Sequence, residues 1–350
     1  MNLFINGYNI FLIVLVSFLF STILTPIVRK LAIKIGAVDK PDGKRKIHSK
    51  LIPSMGGLAF YISFLLGYLI FGVKTSQMTS ILIGSFILII FGIADDIKAL
   101  TPKVKLVGQI LAACIAVFFG HAYFESIQIF GHTLNVGIFA YPISILFIVA
   151  IINAINLSDG LDGLAAGAST IYFATIAVIS FIMSQLGGLD LIICLIMIGS
   201  CLGFLVYNFP PANVFMGDTG SMFLGYIISI VGLLGFKTET FTSLIIPMLV
   251  LFVPILDTIL AMLRRMLKGK SISSADKDHL HHQLLKTTHS QKYTVLIMYA
   301  INILFAIVSV LYSLGKQKSS IIIYGILLLL FIILVLKTNI LFDRSGKDED

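Results

Sequence analysis

Two carboxylates and two amides interrupt an otherwise apolar part of the sequence at NAINLSDGLDGLAAG (153–167). Asn156, Asp159 and Asp162 follow one another at intervals of three residues, and two Asp-Gly pairs fall among them. On a helix this spacing places the three side chains along one face, whereas Asp-Gly pairs favour turns. Because glycines let a ligand approach the backbone closely, the motif indicates a site for a charged ligand.

A second acidic group, the adjacent pair Asp95 and Asp96, ends an apolar segment shortly before Pro102. Two neighbouring carboxylates repel each other, which raises the pKa of one of them unless a cation neutralises the pair. Mg²⁺ suits such a place, because it prefers hard oxygen ligands and completes its shell with water and phosphate oxygens. The alternative is a solvated helix terminus without a ligand.

The motif VFMGDTGS places Asp218 between Gly217 and Gly220, directly before a new apolar segment. Backbone N–H groups at the start of a helix bind phosphate, and Asp218 could hold a metal ion beside it. A plain N-cap aspartate is the alternative. Phe215 in the same motif could stack on a base or pack in the core, and Asn208 ends the preceding apolar segment.

Three histidines, His279, His281 and His282, lie in the segment DKDHLHHQLL of a basic loop. A zinc site is one interpretation, although no cysteine accompanies them. Their alternation and the surrounding lysines fit contact with phosphate or ordering of the loop better. A solvated histidine-rich turn is the remaining alternative.

The elements that position these groups are predicted to be membrane helices. The chain of 350 residues is 58% hydrophobic and only 12% charged, with a mean hydropathy of +1.02, whereas a soluble domain is about 25% charged. Continuous apolar runs of about 18 residues or more predict helices that cross a bilayer, and the lack of alternation disfavours a β-barrel. We expect an all-α, polytopic integral membrane bundle of about eleven spans, near 8–28, 54–73, 79–93, 104–122, 139–156, 165–184, 189–207, 221–236, 243–263, 292–313 and 320–338.

The basic residues sort to one side of this bundle. Of the 25 Lys and Arg, 21 fall in or at the edges of the connections that follow odd-numbered spans and the carboxyl-terminal tail, within 29–50, 98–105, 264–292 and 337–347. The positive-inside rule therefore predicts an external amino terminus and a cytoplasmic carboxyl terminus. This topology accounts for most of the net charge of +8 without nucleic acid as a partner.

We expect one transmembrane catalytic domain, 1–338, followed by a short cytoplasmic tail, 339–350. On the outer side only 123–138 is long, and its partial alternation predicts a small hairpin or cap. The unusual polar chemistry gathers on the cytoplasmic side, which we expect to be the functional face, in the connections 29–53, 94–103, 157–164, 208–220 and 264–291.

In this order, the paired aspartates, NLSDGLDGLAAG, NFPPANVFMGDTGS and the late histidine cluster resemble the polyprenyl-phosphate N-acetylhexosamine-1-phosphate transferases, glycosyltransferase family 4. The resemblance covers nearly the whole chain. The segment DKDHLHHQLL is similar to the N-acetylglucosamine branch, especially the enzymes that initiate wall teichoic acid. The pentapeptide branch carries three consecutive histidines instead.

The resemblance implies a Mg²⁺-dependent enzyme of the plasma membrane, with Mn²⁺ as a substitute metal and an active site that faces the cytoplasm. Asp95, Asp96 and Asp218 are expected to be catalytic, with Asp218 and Asp95 as metal ligands. A homodimer is compatible with the family, although the sequence does not demand one. The resemblance places substrate-binding residues at Lys105, Asn156, Asp159, Asp162, Asn208, Phe215, His279, His281 and His282.

The reaction expected from the resemblance is transfer of N-acetylglucosamine 1-phosphate from UDP-N-acetylglucosamine to undecaprenyl phosphate, with release of UMP. It would be the first membrane step of teichoic acid or related polysaccharide synthesis. One alternative is the phospho-N-acetylmuramoyl-pentapeptide transferase reaction of peptidoglycan synthesis. Another is a cation-coupled transporter that uses Asp257 within a span, although transporters place charges near the midplane and show repeated halves. A non-catalytic scaffold would have no use for five polar connections on one side.

Overall fold

The computed structural model describes residues 3–39, 51–129, 132–183, 188–235, 256 and 280–337. The described part of the chain forms eleven α-helices, which confirms the all-α prediction. The helices are α1 (Ile10–Ile35), α2 (Gly57–Phe71), α3 (Ser76–Ile97), α4 (Pro102–Cys114), α5 (Ala140–Ser158), α6 (Leu164–Ile182), α7 (Leu189–Asn208), α8 (Gly217–Gly235), α9 (Leu280–Thr288), α10 (Gln291–Ser313) and α11 (Gln317–Lys337). Short antiparallel pairs join β1 (Phe4–Ile5) to β2 (Tyr8–Asn9), β3 (Val38–Asp39) to β4 (Ile52–Pro53), and β5 (Ser126–Ile129) to β6 (His132–Asn135).

Seven of the described helices, α1, α3, α5, α6, α7, α8 and α10, are long and apolar enough to cross a membrane. Eighteen helical residues extend about 27 Å, close to the thickness of a hydrocarbon core of about 30 Å. The apolar stretches of α2 and α11 are shorter, and α4 continues through a π-helical turn, Ile115–Phe119. Ten of the predicted spans thus coincide with helices, and the eleventh, 243–263, lies outside the described residues except for position 256.

Helix α8 is the centre of the bundle. It packs against α2, α3 and α5, and 89% of its stretch Gly217–Leu234 is buried, compared with 22% of the most apolar stretch of α1. The functional motif at the start of α8 is therefore held by neighbours on several sides. A helix that is apolar all round and buried in this way is typical of the interior of a bundle.

Helix α1 turns its small polar residues inward and its large apolar residues outward. Ser17, Ser21 and Thr25 are fully buried. A Cβ atom built on Gly199 or Gly203 of α7 would lie 2.2 or 2.4 Å from a backbone oxygen of α1, so the two backbones are in close contact. Small residues that let backbones approach are typical of helix pairs in membranes, where the surrounding lipid is as apolar as leucine.

Two glycines bring α2 and α3 onto the first turn of α8. A Cβ atom on Gly57 would lie 2.0 Å from the Cα of Gly220, and one on Gly92 would lie 2.4 Å from the Cα of Thr219. Real side chains do not fit at such distances. The close approach therefore sets the carboxyl end of α3 beside the amino end of α8.

The ends of several helices differ from the hydropathy prediction. Helix α3 continues to Ile97 rather than ending at 93, so Asp95 and Asp96 lie in its last turn. Helix α1 continues to Ile35, where Gly36 ends it in the left-handed region at φ 81°, because its last turns are basic and lie beyond the apolar stretch. Helix α8 begins at Gly217 rather than at 221, so Asp218 is in a helix and not in a loop. The connection 123–138 contains the predicted hairpin, β5–β6.

Candidate active site

The polar connections expected on one face do meet at one end of the bundle. The N–H of Phe215 donates to the carbonyl of Pro53 at 2.8 Å, and the carboxylate of Asp162 accepts a hydrogen bond from the N–H of Ala212 at 2.9 Å. Leu284 of α9 belongs to the apolar cluster that includes the start of α6. The end of α3 reaches the same place through the contact with α8 described above.

An ammonium group shared by two carboxylates forms the middle of this site. Lys105 Nζ donates to Asp95 Oδ2 at 2.9 Å and to Asp218 Oδ2 at 2.5 Å. The three side chains, from α4, α3 and α8, are 25%, 11% and 22% exposed. A ligand can therefore reach a group of charges that is still partly desolvated.

The two adjacent aspartates have different partners. The carboxylate of Asp95 accepts from Lys105 and, at 2.7 Å, from the N–H of Leu100. The carboxylate of Asp96 accepts from the N–H of Asp218 at 2.9 Å, from the N–H of Thr219 at 3.2 Å and from the hydroxyl of Thr219 at 2.6 Å. Asp96 therefore caps the start of α8 from a different helix, where a negative charge is favourable. These two N–H groups are therefore engaged by Asp96, and phosphate binding at the start of α8 stays a prediction.

Asn156 holds the other oxygen of Asp218. Its amide donates to Asp218 Oδ1 at 3.1 Å and to the hydroxyl of Ser221 at 2.8 Å. Asp218 is thus fixed by Lys105 from α4 and by Asn156 from α5. Ser221 and Thr219 were not among the predicted site residues, although both lie in the same GDTGS segment as Asp218.

Asp159 and Asp162 lie in a turn, and the interpretation that they extend a helical face from Asn156 is wrong. Asp159 leaves the helix with φ −79° and ψ 49°, and Gly163 has a positive φ of 73°. The Asp-Gly pairs therefore end α5 and start α6 rather than continue one helix. The turn still lies at the site: Asp162 accepts a hydrogen bond from the backbone at Ala212, and Asp159 is close enough to Asp218 and Asp96 to be affected by their charges.

The pKa of Asp159 is far from its ordinary value. Although part of the residue is exposed, burial of the carboxyl, together with the negative charges of Asp218, Asp96 and Asp162, raises its pKa to about 8. The carboxyl is therefore mostly protonated at neutral pH when no cation is nearby. A bound cation would favour the charged form and lower this pKa.

Asn208 connects two loops beneath the site. It is only 3% exposed, its Oδ1 accepts from the N–H of Gly163 at 3.0 Å, and its Nδ2 donates to the carbonyl of Val214 at 2.8 Å. Phe215, which follows Val214 in the chain, is partly exposed. Asn208 thus holds the turn after α5 against the segment that carries Phe215.

Of the three clustered histidines, two fall on a described element. His281 and His282 lie in the first turn of α9, which packs against α10. His279 lies outside the described residues, as does Asp257. The role of the cluster stays a prediction.

The residues at the centre fit a magnesium ion with few protein ligands. Within the ranges that the structure describes, no three His, Cys, Asp or Glu side chains form a ready-made metal cluster. Mg²⁺ does not need one, because it binds through one or two carboxylates and completes its shell with waters and substrate phosphates. Asp95 and Asp218 meet this requirement, since both already direct an oxygen at one cation, the Lys105 ammonium.

The fold and the site together define a polytopic membrane protein with an acidic centre at one end of the bundle. Residues 78–236, which include α3 to α8, match the family model described as Glycosyl transferase family 4. The chain is also 45% identical over 335 residues to a protein of Bacillus subtilis (strain 168), and the match covers 94% of this chain and 92% of that protein. The chain belongs to glycosyl transferase family 4.

The names of the relatives narrow the chemistry. The Bacillus subtilis protein is named probable undecaprenyl-phosphate N-acetylglucosaminyl 1-phosphate transferase. A decaprenyl-phosphate N-acetylglucosaminephosphotransferase of Mycolicibacterium smegmatis is 35% identical, over 78% of this chain and 74% of its own length. An undecaprenyl-phosphate alpha-N-acetylglucosaminyl 1-phosphate transferase of Escherichia coli O157:H7 is 30% identical, over 94% of this chain and 90% of its own length. All three names specify the same sugar and a polyprenyl phosphate.

Proposed function

We propose that this protein transfers N-acetylglucosamine 1-phosphate from UDP-N-acetylglucosamine to undecaprenyl phosphate and releases UMP. The observation that carries this proposal is the arrangement of Asp95, Lys105 and Asp218 at the capped start of α8. It supplies one fixed cation and two carboxylates at an accessible end of a membrane bundle. The names of the three relatives support both the sugar and the lipid.

The net reaction exchanges one phosphoanhydride for another. An oxygen of the lipid phosphate forms a bond to the sugar-linked phosphorus, and the bond from that phosphorus to the bridging oxygen of UMP breaks. UMP keeps the electron pair of that bond, and the lipid diphosphate carries the sugar. Because the bond lost and the bond gained are of the same kind, the step needs no other energy source and is reversible.

Both substrates are anionic, so catalysis depends on positioned positive charge. Lys105 supplies an ammonium that can donate to a diphosphate oxygen once the substrate competes with its carboxylate partners. Asn156 and the cap from Asp96 fix the side chain and the backbone of Asp218. A Mg²⁺ ion on Asp218 and Asp95, or Mn²⁺ in its place, would offset charge on the diphosphate and its leaving oxygen.

We place the site on the cytoplasmic side of the plasma membrane. The basic residues support this orientation, since 21 of the 25 Lys and Arg fall on the same side of the bundle as the connections that carry the site residues, and basic residues favour the cytoplasmic side. A water-soluble nucleotide sugar would then enter from the cytoplasm, while the lipid phosphate reaches the same end of the bundle within the membrane. On this proposal residues 1–338 act as a single catalytic domain, and initiation of teichoic acid synthesis remains the prediction from DKDHLHHQLL.

The decisive experiment gives the purified protein Mg²⁺, undecaprenyl phosphate and UDP-N-acetylglucosamine, and measures UMP together with the lipid product. We expect one UMP for each lipid-linked sugar. A preference for UDP-N-acetylmuramoyl-pentapeptide under the same conditions would contradict the proposed donor. Substrate-driven ion flux in proteoliposomes without UMP release would contradict the proposed class and favour a transporter.

A further inference from the structure

A second layer of side-chain contacts lies one helical turn deeper in the bundle than the charged centre. Gln109 of α4 is only 3% exposed. Its Oε1 accepts from Asn153 Nδ2 of α5 at 2.7 Å, and its Nε2 lies 3.8 Å from the sulfur of Met222 of α8 as a weak donor. The side chain of Gln109 therefore joins α4 to both α5, which carries Asn156, and α8, which carries Asp218.

The register of these contacts matches the register of the site. Residues three or four apart on a helix lie one above the other on the same face. Each residue of the deeper layer lies three or four positions along its helix from a residue of the charged site. The stacked pairs are Lys105 and Gln109 on α4, Asn156 and Asn153 on α5, and Asp218 and Met222 on α8.

Helix α4 packs on α3 and α5 mainly through small residues. Its buried residues are Gly108, Gln109, Ala112 and Ala113, so Gln109 is its only long buried side chain. The other large residues of α4 point away from the protein, for example Leu106 with 43% exposure. Small residues give close contact but no direction, whereas an amide hydrogen bond in an apolar interior is directional.

Asn153 is a firm partner for this bond. The same Nδ2 group also donates to the carbonyl of Val149 on its own helix at 2.8 Å, which fixes the amide relative to α5. The bond to Gln109 thus connects α4 to a side chain that is already anchored. Loss of the Gln109 amide would remove the directional hydrogen bond that sets the position of α4 along α5.

We propose that Gln109 is a positioning residue, whose hydrogen bond to Asn153 holds Lys105 between Asp95 and Asp218. A shift of α4 by about 1 Å would lengthen both contacts of the ammonium at once. Misplacement on that scale costs an enzyme up to about a hundredfold in rate. The kinetic part of the test rests on the proposed function, and the chemical part does not.

The first test is Gln109→Met, which keeps the length of the side chain and its contact with Met222 but removes the amide. We expect kcat for UMP release to fall at least about tenfold with little change in KM for the sugar donor. The matched control is Ser63→Ala, which removes two other buried interhelical hydrogen bonds, to the hydroxyl of Ser200 at 2.9 Å and to the carbonyl of Ser17 at 2.8 Å. The control should lower thermal stability and leave kcat within about twofold.

A length swap tests the bond itself. Gln109→Asn is too short to reach α5, and Asn153→Gln is too long for the present geometry. The double variant restores the combined length of the two side chains, and we expect its kcat to return to within a few-fold of the wild type. Losses that simply add in the double variant would overturn the proposal.

The chemical test measures the position of Lys105 without turnover. An ammonium bound to two carboxylates acetylates slowly with acetic anhydride, and exposed Lys103 two residues away serves as the internal reference. Mass spectrometry should show a several-fold rise in the Lys105 to Lys103 labelling ratio in Gln109→Met, and no rise in Ser63→Ala. An unchanged ratio in Gln109→Met would overturn the proposal, even if kcat falls. If the wild-type protein releases no UMP, the proposed function is refuted. A labelling ratio that still rises in Gln109→Met would then leave the positioning role of Gln109 standing.

Discussion

Lys105 Nζ and Asp218 Oδ2 lie 2.5 Å apart, although 113 residues separate them along the chain. The contact joins α4 to the first turn of α8, and it includes Asp95 at the end of α3. Two carboxylates that would repel each other share one ammonium. Because each charged residue has different partners, single substitutions should have different effects on activity and stability.

Removal of the Asp218 charge should stop the reaction and leave the fold intact. In Asp218→Asn the amide keeps the shape of the side chain, and the helix cap from Asp96 is made to the backbone and does not change. We expect UMP release to fall more than about a hundredfold, as for loss of a group that acts in the transition state. Thermal unfolding in detergent should stay within a few degrees of the wild type, and retained turnover would refute the metal assignment.

Removal of the ammonium should affect stability and catalysis in a metal-dependent way. In Lys105→Met, Asp95 and Asp218 lose the charge that they share, so we expect a lower Tm in EDTA. Added Mg²⁺ should raise the Tm more in this variant than in the wild type, because it replaces the missing charge. An equal rise in both proteins would show that the cation does not bind between these carboxylates. Turnover should remain at least about tenfold lower than wild type.

The two adjacent aspartates should respond differently to alanine. Asp96 accepts hydrogen bonds from two backbone N–H groups and a hydroxyl at the start of α8, so Asp96→Ala removes a helix cap. We expect a loss of about 1–2 kcal/mol in the free energy of unfolding. Asp95→Ala should lower activity with a smaller change in stability. Equal loss of stability in the two variants would contradict the separate roles.

The raised pKa of Asp159 predicts a pH-dependent stability. The unfolded chain releases this proton near pH 3.8, whereas the folded protein keeps it up to about pH 8. The folded state therefore binds more protons in that window, and the free energy of unfolding falls as the pH rises through it. Tm measured in EDTA at pH 5 and pH 8.5 should fall more in the wild type than in Asp159→Asn. Parallel pH profiles would show that Asp159 is ionised like an ordinary carboxylate.

The close contact at Gly92 predicts a steric defect. In Gly92→Ala the new methyl group would meet the backbone of Thr219 at 2.4 Å, so α3 must move away from α8 and carry Asp96 with it. We expect a loss of about 1–3 kcal/mol in stability and a clear loss of UMP release. Gly325→Ala in α11 is the matched control, because no atom lies within 4 Å of its new methyl group. A benign Gly92→Ala would show that the helix contact is looser than described.

Hydropathy was sufficient to predict ten of the eleven described helices, because long apolar runs in a membrane have few alternatives to helix. It missed α9, a polar helix within the predicted connection 264–291. It could not predict that α8 begins at Gly217, since the cap comes from Asp96, 122 residues earlier in the chain. Spacing alone also misled at Asp159, where regular intervals of three suggested a helix and the Asp-Gly pairs instead form a turn.

Of the residues singled out in the sequence, Asp95, Asp96, Lys105, Asn156 and Asp218 lie in contact in the structure, and their roles in catalysis and metal binding stay predictions. They could not show how the work is divided between Asp95 and Asp96, because that depends on which helix each carboxylate meets. For the same reason Gln109 carried no signal beyond its position four residues after Lys105. Contacts in three dimensions, and not residue type, distinguish Asp96, which caps α8, from Asp95, for which metal binding stays a prediction.

Different faces of α1 serve its insertion into lipid and its packing against α7. Its outward leucines, isoleucines and phenylalanines suit a hydrocarbon solvent whether or not the rest of the bundle is present. The inward serines of α1 and the glycines Gly199 and Gly203 of α7 add almost nothing to solubility in the bilayer. They determine the depth and the angle at which α1 packs on α7. With a bulkier residue at Gly199 or Gly203, α1 would therefore still insert normally but could not pack against α7 at this depth and angle.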